Sequence, residues 1–278
     1  MQFFHEIPDP KIARLASVAL LISSSVALIV TIWTRCWFML LVPLTGFLIA
    51  AGYVYRVTTI SEPTMSNVVK MQILLIVPPV LLAAANYACL SYALRHAHKL
   101  GKPWFSRLPT LFIVSDIACL LLQMSGAPFL ANKDPAKMRI GAYVILVGVL
   151  LALAVNLLFM GVIVYMHFTM TFNIRPEFWT CLYATMICLT IRNIFRTIQF
   201  IQDIRSAGHK GGYLSSREIY LYLFDFMLIF TCIIIFAALP YGMYLNTAKH
   251  RVSTENNHLR RSQSSSTPHH KNDTGSRG

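Results

Sequence analysis

IGAYVILVGVLLALAVNLLFMGVIVYM, Ile140–Met166, decides the fold: it runs 27 residues without an Asp, Glu, Lys, Arg or His. About 20 apolar residues in a helix cross the roughly 30 Å hydrocarbon core of a bilayer. A helix on the surface of a soluble domain would alternate this apolar character with a polar face, and none is present here. Working outward, six further stretches meet the same criterion: Ile12–Trp33, Trp37–Tyr55, Val69–Leu94, Leu108–Leu130, Phe178–Gln202 and Ile219–Leu245. The expected fold is an all-α membrane protein, a bundle of seven transmembrane helices. The count rests on a tight Thr34–Cys36 turn dividing the first two spans. Pro43 and the Pro78–Pro79 pair fall inside spans, where neighbouring helices can satisfy the carbonyls that proline frees.

Composition agrees. Of 278 residues 56% are hydrophobic and 13% charged, against roughly 25% charged in soluble domains. The expected organisation is a short outer N-terminus (1–11), a seven-helix domain (12–245) and a disordered basic cytoplasmic tail (246–278). The tail is Ser, Thr, Asn, His and Arg with almost no apolar residue, too little to offset chain entropy. The N-terminus lacks the basic start of a cleavable signal peptide. The net charge of +13 sits mostly between apolar runs and in the tail, which suits orientation and anionic lipid rather than nucleic acid. With the N-terminus outside, the cytoplasmic side holds Arg35, Arg95, Lys99, Lys102, Arg107, Arg175 and the tail. The outer side holds Arg56, Lys133, Lys137, Arg139, Arg205, Lys210 and Arg217, offset by Glu62, Asp134 and Asp203. The tail decides, so the C-terminus is expected in the cytoplasm. Trp33, Trp37, Trp104, Trp179, Tyr53 and Tyr244 are expected to form an interfacial belt.

The polar residues inside the spans carry the functional information. A charge at the bilayer centre costs about 2.5–3.5 kcal/mol on insertion scales, so it normally faces the bundle interior. In the sixth span Arg192, Arg196, Gln199 and Asp203 recur every three or four residues on one helical face. Glu218, Tyr222 and Asp225 repeat that spacing in the seventh. Asp116 and Gln123 share a face of the fourth, and Asn86, Tyr87 and Asn156 add neutral polar groups. Counting about 1.5 Å per residue from the shared loop places Arg196 level with Asp225 and Arg192 about one turn deeper, near the depth of Asp116 counted from the cytoplasmic side. Two ion pairs are expected: Arg196–Asp225 and Arg192–Asp116. The candidate substrate-binding set is Asp116, Gln123, Asn86, Arg192, Arg196, Gln199, Glu218, Tyr222 and Asp225. These residues read either as interhelical glue or as a polar cavity for the head group of an amphipathic ligand.

Other chemistry is poorly supported. Cys36, Cys89, Cys119, Cys181, Cys188 and Cys232 form no CxxC pair and read as small buried hydrophobes. His96, His98 and His209 fall in loops and His167 stands alone, so no metal-ligand cluster or serine triad is expected, and neither is enzymatic activity, a metal or a cofactor. The chain holds no phosphate-binding loop for an ATPase of its own. Arg260 and Arg261 before Ser262 and Ser264–Ser266 read as a basophilic kinase target or as a basic tail against anionic lipid, with more weight on the second. The sequon Asn272–Asp273–Thr274 is expected to stay unused in a cytoplasmic tail.

IRNIFRTIQF (Ile191–Phe200) followed by GGYLSSREIYLYLFD (Gly211–Asp225) resembles the signature of the fungal lipid-translocating exporter family. Other pieces with the same resemblance are AGYVYR (Ala51–Arg56), PPVLLAAANYACL (Pro78–Leu90), FIVSDIACLLLQMSG (Phe112–Gly126), Gly141, Gly148 and Pro240. The family usually has Glu where this chain has Gln199 and His where it has Arg217, and Gln202–Lys210 lacks the family's short glycine turn. These departures mark a divergent member. The resemblance implies a fungal, seven-span protein of the plasma membrane or an endomembrane that binds and exports amphipathic lipids, sphingoid-base-like or sterol-like, and so contributes to lipid asymmetry or resistance to toxic compounds. Its implied partners are membrane lipids and an amphipathic substrate. The alternative is a seven-helix receptor or sensor signalling through the tail. With no Lys in the seventh span, a retinal Schiff base there is excluded.

Overall fold

Proline punctuates the chain. Four helices begin on one: α1 (Pro10–Thr34), α4 (Pro103–Leu130), α5 (Pro135–Met170) and α6 (Pro176–Arg205). At the first helical position the ring presets φ, and its missing N–H would have had no helical acceptor anyway. The remaining elements are a 3₁₀ turn (Trp37–Leu40), α2 (Leu41–Ser61), α3 (Met65–His96), a π-helical turn (Tyr222–Phe226) and α7 (Met227–Ala238). The computed structural model describes residues 10–61, 65–96, 103–130, 135–170, 176–205, 220 and 222–238.

The protein is a membrane helical bundle, with no strand among the described residues. Helices α1 to α6 are each long and apolar enough to cross a bilayer. The seventh is apolar and is described over the shorter stretch Tyr222–Ala238. Its expected limits, Ile219 and Leu245, lie outside the described residues, as do Glu218, the tail with Ser262–Ser266, and the sequon. The division between α1 and α2 is real. Arg35 turns the chain with φ 53°, its N–H donates to Ile32 O at 3.2 Å, and Met39 N–H donates to Cys36 O at 2.9 Å.

Consecutive helices pack side by side from α1 to α6, and α7 closes the bundle against α1, α6 and α2. The main core lies where α1, α2, α3, α6 and α7 meet, around Leu20, Ile49, Tyr53, Leu82, Leu182, Met186, Cys232 and Ile233. Helices α4 and α5 form a hairpin against α3 and α6, and their outer faces expose Leu111, Val114, Leu121, Leu150, Leu157 and Leu158 to the surroundings. The α4–α5 contact depends on missing side chains. A Cβ on Gly126 would stand 2.8 Å from Gly141 O, and one on Gly148 would stand 2.6 Å from Gln123 Cγ.

Burial corrects two expectations from the sequence. Trp33 and Trp37 are exposed, as a belt requires, but Tyr53 and Trp179 are buried in the core. The side chains of Trp104 and Tyr244 lie outside the described residues. Arg56, expected in an outer loop, lies within α2, which continues to Ser61, and is 6% exposed. Nearness to a span's end says nothing about which way a side chain faces.

Candidate functional site

Two polar centres lie inside the bundle. The first joins α6 to the π turn before α7. Asp225 is 2% exposed and meets two guanidinium groups. Arg196 Nη2 donates to Asp225 Oδ2 at 2.8 Å. Arg192 Nε lies 2.6 Å from Asp225 Oδ1, a second ion pair to the same carboxylate. The four-residue spacing of the arginines puts both on the side of α6 that faces α7.

Arg192 also reaches α3, where its Nη2 donates to Leu75 O at 3.2 Å. The donor is needed because of Pro79. In a regular helix the N–H of residue 79 would bond the carbonyl of residue 75, and proline has none. A side chain of α6 thus fills the gap that a proline opens in α3. Nearby, Pro78 O accepts a further hydrogen bond from Thr45 Oγ1 of α2 at 3.4 Å.

The π turn adds aromatic walls. It leaves both Tyr222 and Asp225 buried. Tyr53 of α2 stacks on Tyr222, with ring centroids 5.7 Å apart and planes 18° from parallel. The Arg56 guanidinium lies over the other ring of that stack, 5.8 Å from the Tyr222 centroid, within cation–π range. Among the buried polar atoms here, Tyr53 Oη, Arg196 Nε and Gln199 Oε1 have no hydrogen-bond partner among the described residues. Buried polar groups are nearly always satisfied. This centre therefore offers two donors and an acceptor beyond what the protein uses.

The second centre joins α3 and α4. Asp116 is 6% exposed, and Tyr87 Oη donates to its Oδ2 at 2.6 Å. Phe112 and Phe159 pack on Tyr87 with centroids 5.6 and 4.3 Å away. This overturns the expected Arg192–Asp116 pair: Arg192 turns to Asp225 and Asp116 to Tyr87. Depth counting places residues along the membrane normal but not around the bundle. Helix α4 packs chiefly on α5 and α3, which leaves Asp116 on a different side from Arg192.

The other expected residues fall elsewhere. Asn86 Oδ1 accepts from Thr185 Oγ1 at 2.9 Å, a buried link between α3 and α6. Asn156 Nδ2 donates to Thr190 Oγ1 at 2.8 Å, linking α5 to α6. Gln123 is buried where α4 meets Gly148 of α5. Thus Arg192, Arg196, Tyr222 and Asp225 meet, with Gln199 one turn along α6, while Asp116, Gln123 and Asn86 stand apart. The sequence reading left out Tyr53 and Arg56. Their signal is Arg56 three residues after Tyr53, one helical turn, which puts both on one face of α2. No group of three or more His, Cys, Asp or Glu suited to a metal ion exists among the described residues.

A family model described as RTA1 like protein matches residues 42–248. Protein RTA1 of Saccharomyces cerevisiae is 27% identical over 205 residues, covering 68% of this chain and 61% of its own length. Protoporphyrin uptake protein 1 of the same yeast is 26% identical over 204 residues, 68% of this chain and 63% of its own. An uncharacterized membrane protein of that yeast is 25% identical over 200 residues, 67% and 70% of the two chains. The match thus spans about three fifths of the first two relatives. No solved structure matches.

Proposed function

Because the chain belongs to the RTA1-like family, we propose that this integral multi-pass membrane protein binds and translocates amphipathic lipids or lipid-like compounds, sphingoid-base-like or sterol-like, and that the Arg192–Arg196–Asp225 centre receives the polar head. One observation carries the reading. Tyr53 Oη, Arg196 Nε and Gln199 Oε1 lie buried beside this ion-paired centre with no partner among the described residues. A head group bearing hydroxyl, phosphate or carboxylate oxygens would satisfy the two donors, and a hydroxyl or amine hydrogen would satisfy the Gln199 oxygen. The name of one relative, a protoporphyrin uptake protein, supports including flat amphipathic molecules and leaves the direction of movement to experiment.

The protein works in the plasma membrane, with its N-terminus outside and its basic C-terminal tail in the cytoplasm, where anionic lipid attracts such segments. It has no catalytic role and needs no cofactor. The test follows labelled sphingoid base, labelled sterol and protoporphyrin across the membrane of cells lacking the gene, carrying it, or carrying Arg196→Gln. A rate that rises with the wild type and falls with the variant supports the reading. Equal rates for all three compounds, with and without the gene, overturn it.

A further inference from the structure

Asp116 lies near the middle of its span, Arg107–Gly126, about 14 Å along the helix from either end at 1.5 Å per residue. It forms no ion pair with any described residue, whereas Asp225 has two. Its hydrogen bond comes from a neutral hydroxyl, that of Tyr87. A bare carboxylate in so dry a place is costly, so such groups take up a positive counterpart.

The surroundings decide which counterpart fits. Helix α3 presents Tyr87, and α4 itself presents Phe112 and Cys119. Helix α5 presents Phe159. The titratable groups of α5 point elsewhere: Lys137, Arg139, Tyr143 and Tyr165 are exposed, and His167 packs on Trp179 of α6. Cys89 of α3 has Cys181 and Cys36 as its neighbours. The rings of Tyr87, Phe112 and Phe159 fill the space beside the carboxyl by packing on one another, with Phe112 and Phe159 centroids 5.1 Å apart. Tyr87 and Phe159 are each 1% exposed. An ammonium group would have to part these rings. A proton needs no room.

We propose that Asp116 is a proton-binding site, a neutral carboxylic acid in this closed arrangement of the bundle. The Tyr87 hydroxyl can donate to Oδ2 in both states, so the contact survives release of the proton. On release the O–H bond of the acid breaks, the proton passes to water entering between α3 and α4, and the carboxylate keeps the Tyr87 hydrogen bond. This site is separate from the head-group centre on α6 and stands or falls without it.

The test is infrared spectroscopy of the full chain in lipid nanodiscs at neutral pH, with no lipid substrate added. The wild type should show a carboxylic-acid carbonyl band that exchanges slowly in heavy water. Asp116→Asn should abolish it, and Tyr87→Phe should shift it to the position of an acid with one hydrogen bond fewer. Should Asp116→Asn fail to fold, the Tyr87→Phe shift alone carries the assignment. An unchanged acid band in Asp116→Asn, an unmoved one in Tyr87→Phe, or an Asp116-dependent carboxylate band in its place overturns the proposal.

Discussion

Asp225 and Asp116 are both carboxyls buried among helices, and the bundle treats them in opposite ways. Asp225 is held between two arginines of the neighbouring helix. Asp116 has a tyrosine hydroxyl and a wall of aromatic rings. The difference follows from lateral position. Asp225 lies beside α6, whose arginines recur every four residues, while α4 is flanked mainly by α3 and α5, whose described cations Lys70, Lys137 and Arg139 are exposed and form no ion pair with Asp116. One centre is tied by charge, the other by a neutral hydrogen bond.

The largest expected effect tests the first half of that contrast. Asp225→Ala leaves two guanidinium groups facing each other without a counter-charge, and breaking a buried pair by removing one partner costs about 3–5 kcal/mol. Thermal unfolding in mild detergent should show a severe loss. Asp116→Asn should cost less than about 1 kcal/mol, since the amide oxygen still accepts from Tyr87. Equal losses at the two positions would abolish the distinction. Next in size are the arginines. Arg192→Met should cost about 3 kcal/mol, because Arg192 is 5% exposed and also serves Leu75 O. Arg196→Met should cost clearly less, since Arg192 still meets Asp225. The reverse order would mean that Arg196, not Arg192, anchors α6.

A third comparison is smaller. Tyr87→Phe removes one hydrogen bond and should cost about 1 kcal/mol in the same unfolding assay. Thr185→Val, at the buried Asn86 link between α3 and α6, should cost a similar amount by stranding the Asn86 oxygen. If Tyr87→Phe costs several kcal/mol, Asp116 is ionised in the resting protein and relies on Tyr87 as Asp225 relies on its arginines.

The sequence made the helices legible because lipid demands long apolar runs, and Ile140–Met166 can be read no other way. The Arg196–Asp225 pair was legible too, since both residues are counted from one shared loop. The Arg192–Asp116 pair failed because counting gives depth and not azimuth. Nothing in a single sequence says that α4 faces α3 and α5 rather than α6. Tyr53 and Arg56 were hidden for a related reason. Hydropathy ends the second span at Tyr55, yet α2 runs on to Ser61, so an arginine assigned to a loop lies in the bundle. The π turn over Tyr222–Phe226 leaves no periodicity signal, because one widened turn is too short to change the pattern around it.

The smallest expected effect bears on why Arg192 is bound so firmly. Its second contact, Leu75 O, is open only because Pro79 cannot donate. Pro79→Ala would restore an N–H to that carbonyl and remove part of what Arg192 does, leaving Asp225 as its sole fixed partner. Alone, Pro79→Ala should change stability little, since a gained helical bond offsets a weakened one between helices. Combined with Arg192→Met it should make the arginine's loss milder by about 0.5–1 kcal/mol, a coupling of the size expected for two groups sharing one acceptor. Unfolding of the four proteins in that cycle measures it. Strict additivity would mean that Leu75 O contributes nothing to holding Arg192, and the contrast between the centres would then rest on Asp225 alone.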